Sequence, residues 1–253
     1  MTRVVAVIQA RIGSSRLPGK ALTDISGKPM FQHIVERMRA CATLDDIVLA
    51  TTEEPADAAL LRAAEGLGVQ GFAGSVEDVL DRTFRAARGA GADVVVRVTG
   101  DDPLKDPGVT DRAVRLLLTE EGDYATNTLV PTYPEGIDIE VMTLAALNRA
   151  WKEARLQSER EHVTPFIWKH PEIFRVANFT HTTDLSSLRW TVDYPEDLAF
   201  VRAVYDALYD GSPFSMQDVL DLLVRRPELG RINTGIARNA GYERSLAADR
   251  PID

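Results

Sequence analysis

Residues 4–20 read Val4-Val5-Ala6-Val7-Ile8-Gln9-Ala10-Arg11-Ile12-Gly13-Ser14-Ser15-Arg16-Leu17-Pro18-Gly19-Lys20. The opening apolar run, rich in β-branched residues, is what a strand buried on both faces of a parallel sheet requires. The loop behind it holds three cations, two serine hydroxyls and two glycines. Glycines let backbone approach a ligand closely, and Arg11, Arg16 and Lys20 can neutralise a polyphosphate. A solvated basic loop is the plainer alternative. With a formal net charge of -9 over the chain, however, cations gathered beside a buried strand call for an anion.

Two other phosphate loops do not fit. Five residues separate Gly13 from Gly19 where a P-loop has four, and Ala21 follows Lys20 where Ser or Thr would hold a metal. The dinucleotide fingerprint G-x-G-x-x-G is absent from this first loop.

Outward from this loop, Pro29 opens a helix with Met30, Ile34, Val35 and Met38 at helical spacing, and residues 47–50 form a second strand. A helix from Pro55 ends at Gly66 and Gly68, a third strand spans 69–72, and Val76, Val79, Leu80, Phe84 and Ala87 mark the next helix. Residues 94–98 are a fourth strand that runs into Thr99-Gly100-Asp101-Asp102-Pro103. This alternation predicts a mostly parallel α/β sheet with ligands at the carboxyl ends of its strands.

The later chain is less regular. Strands are expected at 137–142, 173–180 and 188–193, helices at 143–154, 158–169, 195–208 and 215–225, and a polar tail thereafter. One unit over residues 1–253 is expected, with a nucleotide-binding half to about 122 and an acceptor-binding and dimerisation half beyond it.

The acidic balance argues against a protein that coats nucleic acid, and the first apolar run is too short to span a membrane, so a cytoplasmic protein is expected. The single cysteine, Cys41, cannot form an internal disulfide and reads as a core thiol.

Asp101, Asp102 and Asp193 follow strands in this reading and could converge on one sheet edge, where hard carboxylate oxygens suit Mg²⁺. The competing role is helix capping ahead of Pro103 and Pro195. Asp102 is balanced between the two. Glu161-His162 lacks the second histidine that a zinc protease helix carries.

Taken together, the loop Ile8 to Lys20, Gly100-Asp101-Asp102-Pro103, residues Tyr133 to Glu140, Arg160-Glu161-His162-Val163-Thr164-Pro165 and Val192 to Leu198 resemble the SpsF-type spore-coat polysaccharide cytidylyltransferases. These are similar to the synthetases of CMP-KDO and CMP-sialic acid. The resemblance implies a Rossmann-like three-layer α/β/α nucleotidyltransferase fold, GT-A-like, with a mostly parallel mixed sheet. It implies an Mg²⁺-dependent homodimer that transfers CMP from CTP to an acidic sugar or related acceptor and releases pyrophosphate.

Residue by residue, it implies that Arg11, Gly13, Ser14, Arg16 and Lys20 hold the triphosphate, and that Asp101 and Asp193 hold the metal. Gln9 and Ala10, Thr51 and Thr52, and Gly74 and Ser75 would border base and ribose. Arg82 either reaches the nucleotide or pairs with Asp78 or Asp81. Arg16, Lys20 and Asp101 would carry catalysis, and Lys105, Tyr133, Glu135, Asp138, Glu140, Arg160, Glu161 and His162 would form the acceptor side. Asp102 and Lys105 depart from the pattern, which has Cys or Ser and an aliphatic residue at these places. A GT-A glycosyltransferase and a nucleotide-binding protein without turnover are the alternatives.

Overall fold

A computed structural model describes every residue but Met1, Ser15, Ala237, Asn239 and Asp253. The first strand, β1 (Val4–Gln9), is buried on both faces: Val4, Ala6 and Ile8 enter one core, Val5 and Val7 the other. That two-sided burial follows from the alternation of side chains along a strand with helices on both faces.

A short hairpin of β2 (Asp24–Ile25) and β3 (Lys28–Pro29) leads into α1 (Met30–Arg39), β4 (Asp46–Thr52), α2 (Ala58–Gly66) and β5 (Gln70–Gly74). Next come α3 (Val79–Gly89), β6 (Val94–Thr99), α4 (Pro107–Thr119), β7 (Tyr124–Thr126), β8 (Glu140–Thr143) and α5 (Leu144–Glu153). The chain continues through α6 (Gln157–His162), α7 (Pro165–Trp168), β9 (Val176–Asn178), α8 (Pro195–Leu208), α9 (Met216–Arg225) and α10 (Ala240–Ala247).

The main sheet has seven strands in the order β5-β4-β1-β6-β8-β7-β9. Only β8 runs against the others, through its antiparallel pairs with β6 and β7. Residues of α1, α2, α4, α8 and α9 fill one core, and residues of α3, α5 and α7 fill the other, which gives three layers. The β6–β8 pairing makes the sheet continuous across the two halves distinguished in the sequence.

Three expectations for the later chain are corrected. Residues 188–193 are not a sheet strand: they form one isolated bridge, Glu135 to Arg189, and otherwise bond to loop backbone, as in Trp190 N–H to Glu135 O at 2.7 Å and Val192 N–H to Asp101 O at 2.8 Å. Buried Trp190 and Val192 produce an alternation that imitates a strand. The helix expected over 158–169 is broken between α6 and α7, where Val163 takes φ 72° and Pro165 has no N–H to donate. The polar tail contains α10, which packs on α6.

Gly136 ties two of these segments together. Its φ is +102°, and a Cβ there would lie 2.7 Å from the Thr191 nitrogen and from the Trp190 carbonyl carbon. Only glycine permits both the backbone conformation and the approach.

Candidate active site

The carboxyl ends of β1 and β6 meet at Gly100, whose N–H bonds Gln9 O at 2.8 Å. From β1 the loop turns at Gly19, φ +73°, into the short 3-10 helix Lys20–Leu22. An aspartate that the sequence reading passed over anchors this loop: Asp57 accepts Ile12 N–H at 2.6 Å and also takes the Thr52 hydroxyl.

Lys20 is delivered between two carboxylates. Its Nζ donates to Asp101 Oδ2 at 2.9 Å, Asp193 Oδ1 at 2.9 Å and Val192 O at 2.8 Å, which uses all three ammonium protons. Arg16 Nη2 reaches the same Asp193 oxygen at 2.6 Å, and its guanidinium lies 5.4 Å from the centre of the Tyr194 ring. Burial acts to raise the Asp193 carboxyl, but Lys20 and Arg16 outweigh it and pull the pKa to about 2. For Asp101 burial is likewise outweighed by Lys20, so it too lies below the usual carboxylate value.

Neither aspartate caps a helix through its side chain. Asp197 accepts the N–H groups of Asp193 and Tyr194 ahead of α8, and Asp106 accepts Val109 N–H on α4. The pair is therefore left for charge chemistry. Its donor set fits a hard divalent cation: two carboxylate oxygens already lie 2.9 Å from one shared ammonium. Among the described residues no group of three or more His, Cys, Asp or Glu is placed to hold a metal, so water and phosphate oxygens would complete the shell.

Two clefts open on either side of this cluster. The first, about 470 Å³, is lined by Gln9, Ala10, Arg11, Ser14, Lys20 and Arg82 among others. Arg11 and Arg82 form no ion pair among the described residues. Arg82 is 3% exposed; among the described residues it donates only to Ser75 O at 2.5 Å, and its buried Nε has no partner. Burial, then the neighbouring Arg11, pushes its pKa down to about 10. A buried guanidinium with like charge beside it would be stabilised by a bound anion.

The second cleft, about 520 Å³, lies toward the later half of the chain and is lined by Glu135, Asp138, Glu140, Arg189, Trp168 and Tyr242 among others. Both clefts share Arg16, Arg97, Thr99, Asp101, His162 and Asp193, so these residues form the wall where the two spaces meet.

Several expected site residues have other duties. Thr51 and Thr52 are buried and line neither cleft, with Thr52 spent on Asp57. Gly74 and Ser75 border a separate depression beside Glu53 and Asp81. Gly13 lines neither cleft; it has an ordinary φ and open space around it. Asp102 accepts Lys105 Nζ at 2.8 Å and the Thr99 hydroxyl at 2.6 Å. Lys105 is 2% exposed and also bonds Asp138 O, so its charge is held as a counter-ion in the lining of the second cleft described above.

Arg160 is corrected in the same way: it grips Asp78, donates to Trp151 O at 2.6 Å and lines neither cleft. Tyr133 is buried, its hydroxyl held by Arg112 at 2.9 Å and its ring against Phe179. Glu135 accepts Arg189 Nη1 at 2.6 Å. Asp138 pairs with Arg238, and burial raises its carboxyl to about 6. Glu140 accepts from Tyr124 at 2.6 Å, Thr164 at 2.5 Å and Arg97; these outweigh burial and keep it ionised below the usual glutamate value. Glu161 lines the first cleft and His162 both.

Two arginines went unassigned in the sequence. Arg97 donates to Gln9 Oε1 at 2.9 Å and to Glu140, linking the two clefts. It had one visible signal, a lone charge within an apolar strand. Arg189 joins Glu135, Asp193 and Asp197, and nothing in its local sequence announces that.

Comparison with known proteins places this chain among relatives. The sequence model of a family described as Cytidylyltransferase matches residues 5–204. The spore coat polysaccharide biosynthesis protein SpsF of Bacillus subtilis is 31% identical over 90% of this chain and 97% of its own. A 3-deoxy-manno-octulosonate cytidylyltransferase of Geobacter sulfurreducens is 39% identical over 44% of each chain. The solved structure of a cytidylyltransferase from Leptospira borgpetersenii superposes with a TM-score of 0.88 at 31% identity, covering 94% of this chain and 100% of that one.

Proposed function

The chain belongs to the cytidylyltransferase family, and from that premise we propose that it transfers CMP from CTP to a hydroxyl of an acidic sugar or related acceptor, for a cell-surface polysaccharide precursor. The observation that carries this reading is the shared wall: a cleft holding Arg11 and Arg82, which form no ion pair among the described residues, meets a second cleft at Arg16, Asp101 and Asp193. A triphosphate in the first cleft would present its α-phosphorus at that wall to an acceptor in the second. The names of the Geobacter sulfurreducens and Bacillus subtilis relatives support a sugar acid and a polysaccharide product.

In the reaction an acceptor oxygen forms a bond to the α-phosphorus while the bond to the β-phosphate bridge breaks, its electron pair leaving with pyrophosphate. Such a transfer needs alignment and charge neutralisation more than covalent chemistry. Arg11 and Arg82 would hold the triphosphate and the departing pyrophosphate, joined by Lys20 once its ammonium gives up Asp101 and Asp193 to the metal. Arg16 and Arg97, which line both clefts, are the cations an acidic acceptor would meet. Asp101 and Asp193 would hold Mg²⁺, which when bound offsets charge on the polyphosphate. The reading includes a homodimer and a cytoplasmic location with its CTP supply; among the described residues no helix is long and apolar enough to cross a membrane.

The test is thermal stabilisation and pyrophosphate release with each of the four NTPs plus Mg²⁺, with and without a pool of acidic sugars. CTP-selective stabilisation with acceptor-dependent pyrophosphate supports the reading. Stabilisation by a nucleotide sugar, with indifference to every NTP, would replace it with a glycosyltransferase.

A further inference from the structure

We propose that His162 is the general base of the transfer, taking the acceptor's hydroxyl proton on Nδ1, and that Ser245 is the positioning residue that fixes its tautomer. This rests on the transfer reading above.

The wall between the clefts offers few proton acceptors. Of its six residues, Arg16 and Arg97 stay charged, and Thr99 is a very weak base. Asp101 and Asp193 are bound to the Lys20 ammonium and held below the usual carboxylate range. His162 is the remaining group there whose neutral form can take a proton near pH 7.

Proton accounting fixes which nitrogen is available. Ser245 Oγ on α10 lies 2.9 Å from His162 Nε2, 2.9 Å from Glu161 Oε2 and 3.2 Å from Gly241 O. A carboxylate and a carbonyl only accept, and a serine hydroxyl has one proton. With that proton on Glu161 Oε2 or Gly241 O, Ser245 Oγ accepts from the imidazole and Nε2 carries the hydrogen; the opposite assignment would leave the Glu161 carboxylate 2.9 Å from Oγ with no proton between them. Nδ1 of the neutral ring then holds the lone pair, and it has no hydrogen-bond partner among the described residues.

The same helix holds the ring in place, with Tyr242 packed edge-on at 4.9 Å and 83°. Arg97 on β6, Glu140 on β8, Glu161 on α6 and Asp249 after α10 are the charged groups that face it. Burial and then Arg97 lower its pKa against the opposing pull of the three carboxylates, so the ring is neutral at pH 7. In the step, the hydroxyl proton moves to Nδ1 as the acceptor oxygen bonds the α-phosphorus and pyrophosphate departs. The imidazolium then loses that proton to solvent. Ser245 lies beyond residue 204, where the match to the family sequence model ends.

The test uses the full chain with ¹⁵N-labelled histidine, CTP and MgCl₂, and long-range ¹H–¹⁵N correlation, with His162 assigned by loss of its signals in H162Q. At pH 7.5 the expected ring is neutral and protonated on Nε2, with a midpoint below 6.5. S245A should lose the tautomer preference and S245T should keep it.

With an acceptor that supports wild-type pyrophosphate release, H162Q should lower kcat about 10²–10⁴-fold while KM for CTP stays within about twofold. S245A should move the acid limb of kcat/KM, and S245T should restore it. A ring charged at pH 7.5 or protonated on Nδ1, or H162Q with wild-type kcat, overturns the base. Absence of pyrophosphate release from the wild type with CTP and every sugar acid tested rejects the transfer itself, whereas release that survives in H162Q rejects the base alone.

Discussion

Arg16 and Asp193 lie 177 positions apart, yet Nη2 of one is 2.6 Å from Oδ1 of the other, and Lys20 shares that same oxygen at 2.9 Å. Two cations on one carboxylate oxygen, with Asp101 on the far side of the lysine, make the cluster dependent on its balance of charge.

Replacing Lys20 with Ala therefore removes both a proposed phosphate ligand and the counter-ion of two partly buried carboxylates. Turnover should fall about 10²–10³-fold, and the metal-free protein should lose about 3 kcal/mol of stability. Mg²⁺ should raise Tm more in the variant than in the wild type, read by calorimetry with MgCl₂ against EDTA. An equal rise in both would argue against a cation held by Asp101 and Asp193.

The carboxylates set two opposite pH responses. Asp193 has its pKa drawn from 3.8 down to about 2, so its stabilisation is complete above the unfolded value and disappears as pH falls from about 4 through 2. Asp138 is raised from 3.8 to about 6; its protonated form favours the fold, and that contribution is lost as pH rises through 6. Urea unfolding should show the cost of D193N shrinking on acidification, and D138N should be better tolerated at pH 8 than at pH 4.

Arg82 and Arg160 separate binding from scaffolding. Arg82→Ala removes a buried cation that has no carboxylate partner among the described residues, so stability should hold or rise while CTP affinity drops at least tenfold, measured by calorimetric titration. Arg160→Ala breaks the pair with Asp78, whose Oδ1 also caps α3 through Asp81 N–H at 2.8 Å. It should cost about 2–3 kcal/mol and leave CTP affinity unchanged in the folded fraction.

Gly136→Ala should be far more damaging than Gly13→Ala. The first meets backbone at 2.7 Å with φ at +102°, and the second meets nothing within 4 Å. A loss of about 2–4 kcal/mol is expected at Gly136, against about 1 kcal/mol or less of change at Gly13. Because the Trp190–Thr191 backbone leads directly to Asp193, kcat should fall as well; denaturation curves and initial rates on the two variants decide this.

The first half of the fold was legible because its signals are local. β1, β4, β5 and β6 fall on apolar runs, and α1 and α3 on helical periodicity; the Gly-bearing loop and Asp101 sit at strand ends, where an α/β sheet binds ligands. The later half misled where burial had another cause. Residues 188–193 alternate because Trp190 and Val192 pack into the core, not because they join a ladder, and the tail that carries Ser245 shows no apolar period long enough to announce α10.

The sequence by itself determined which elements form, which loop carries the cations and which carboxylates stand beside it, since propensity, periodicity and turn chemistry act over a few neighbouring residues. Only the tertiary structure decided which charges were left for a ligand. Arg160 is taken by Asp78, Lys105 by Asp102 and Arg189 by Glu135, Asp193 and Asp197, while Arg82 pairs with no carboxylate among the described residues. Ion pairing depends on separation in space and on burial, and the chain crosses the sheet several times before most of these partners meet.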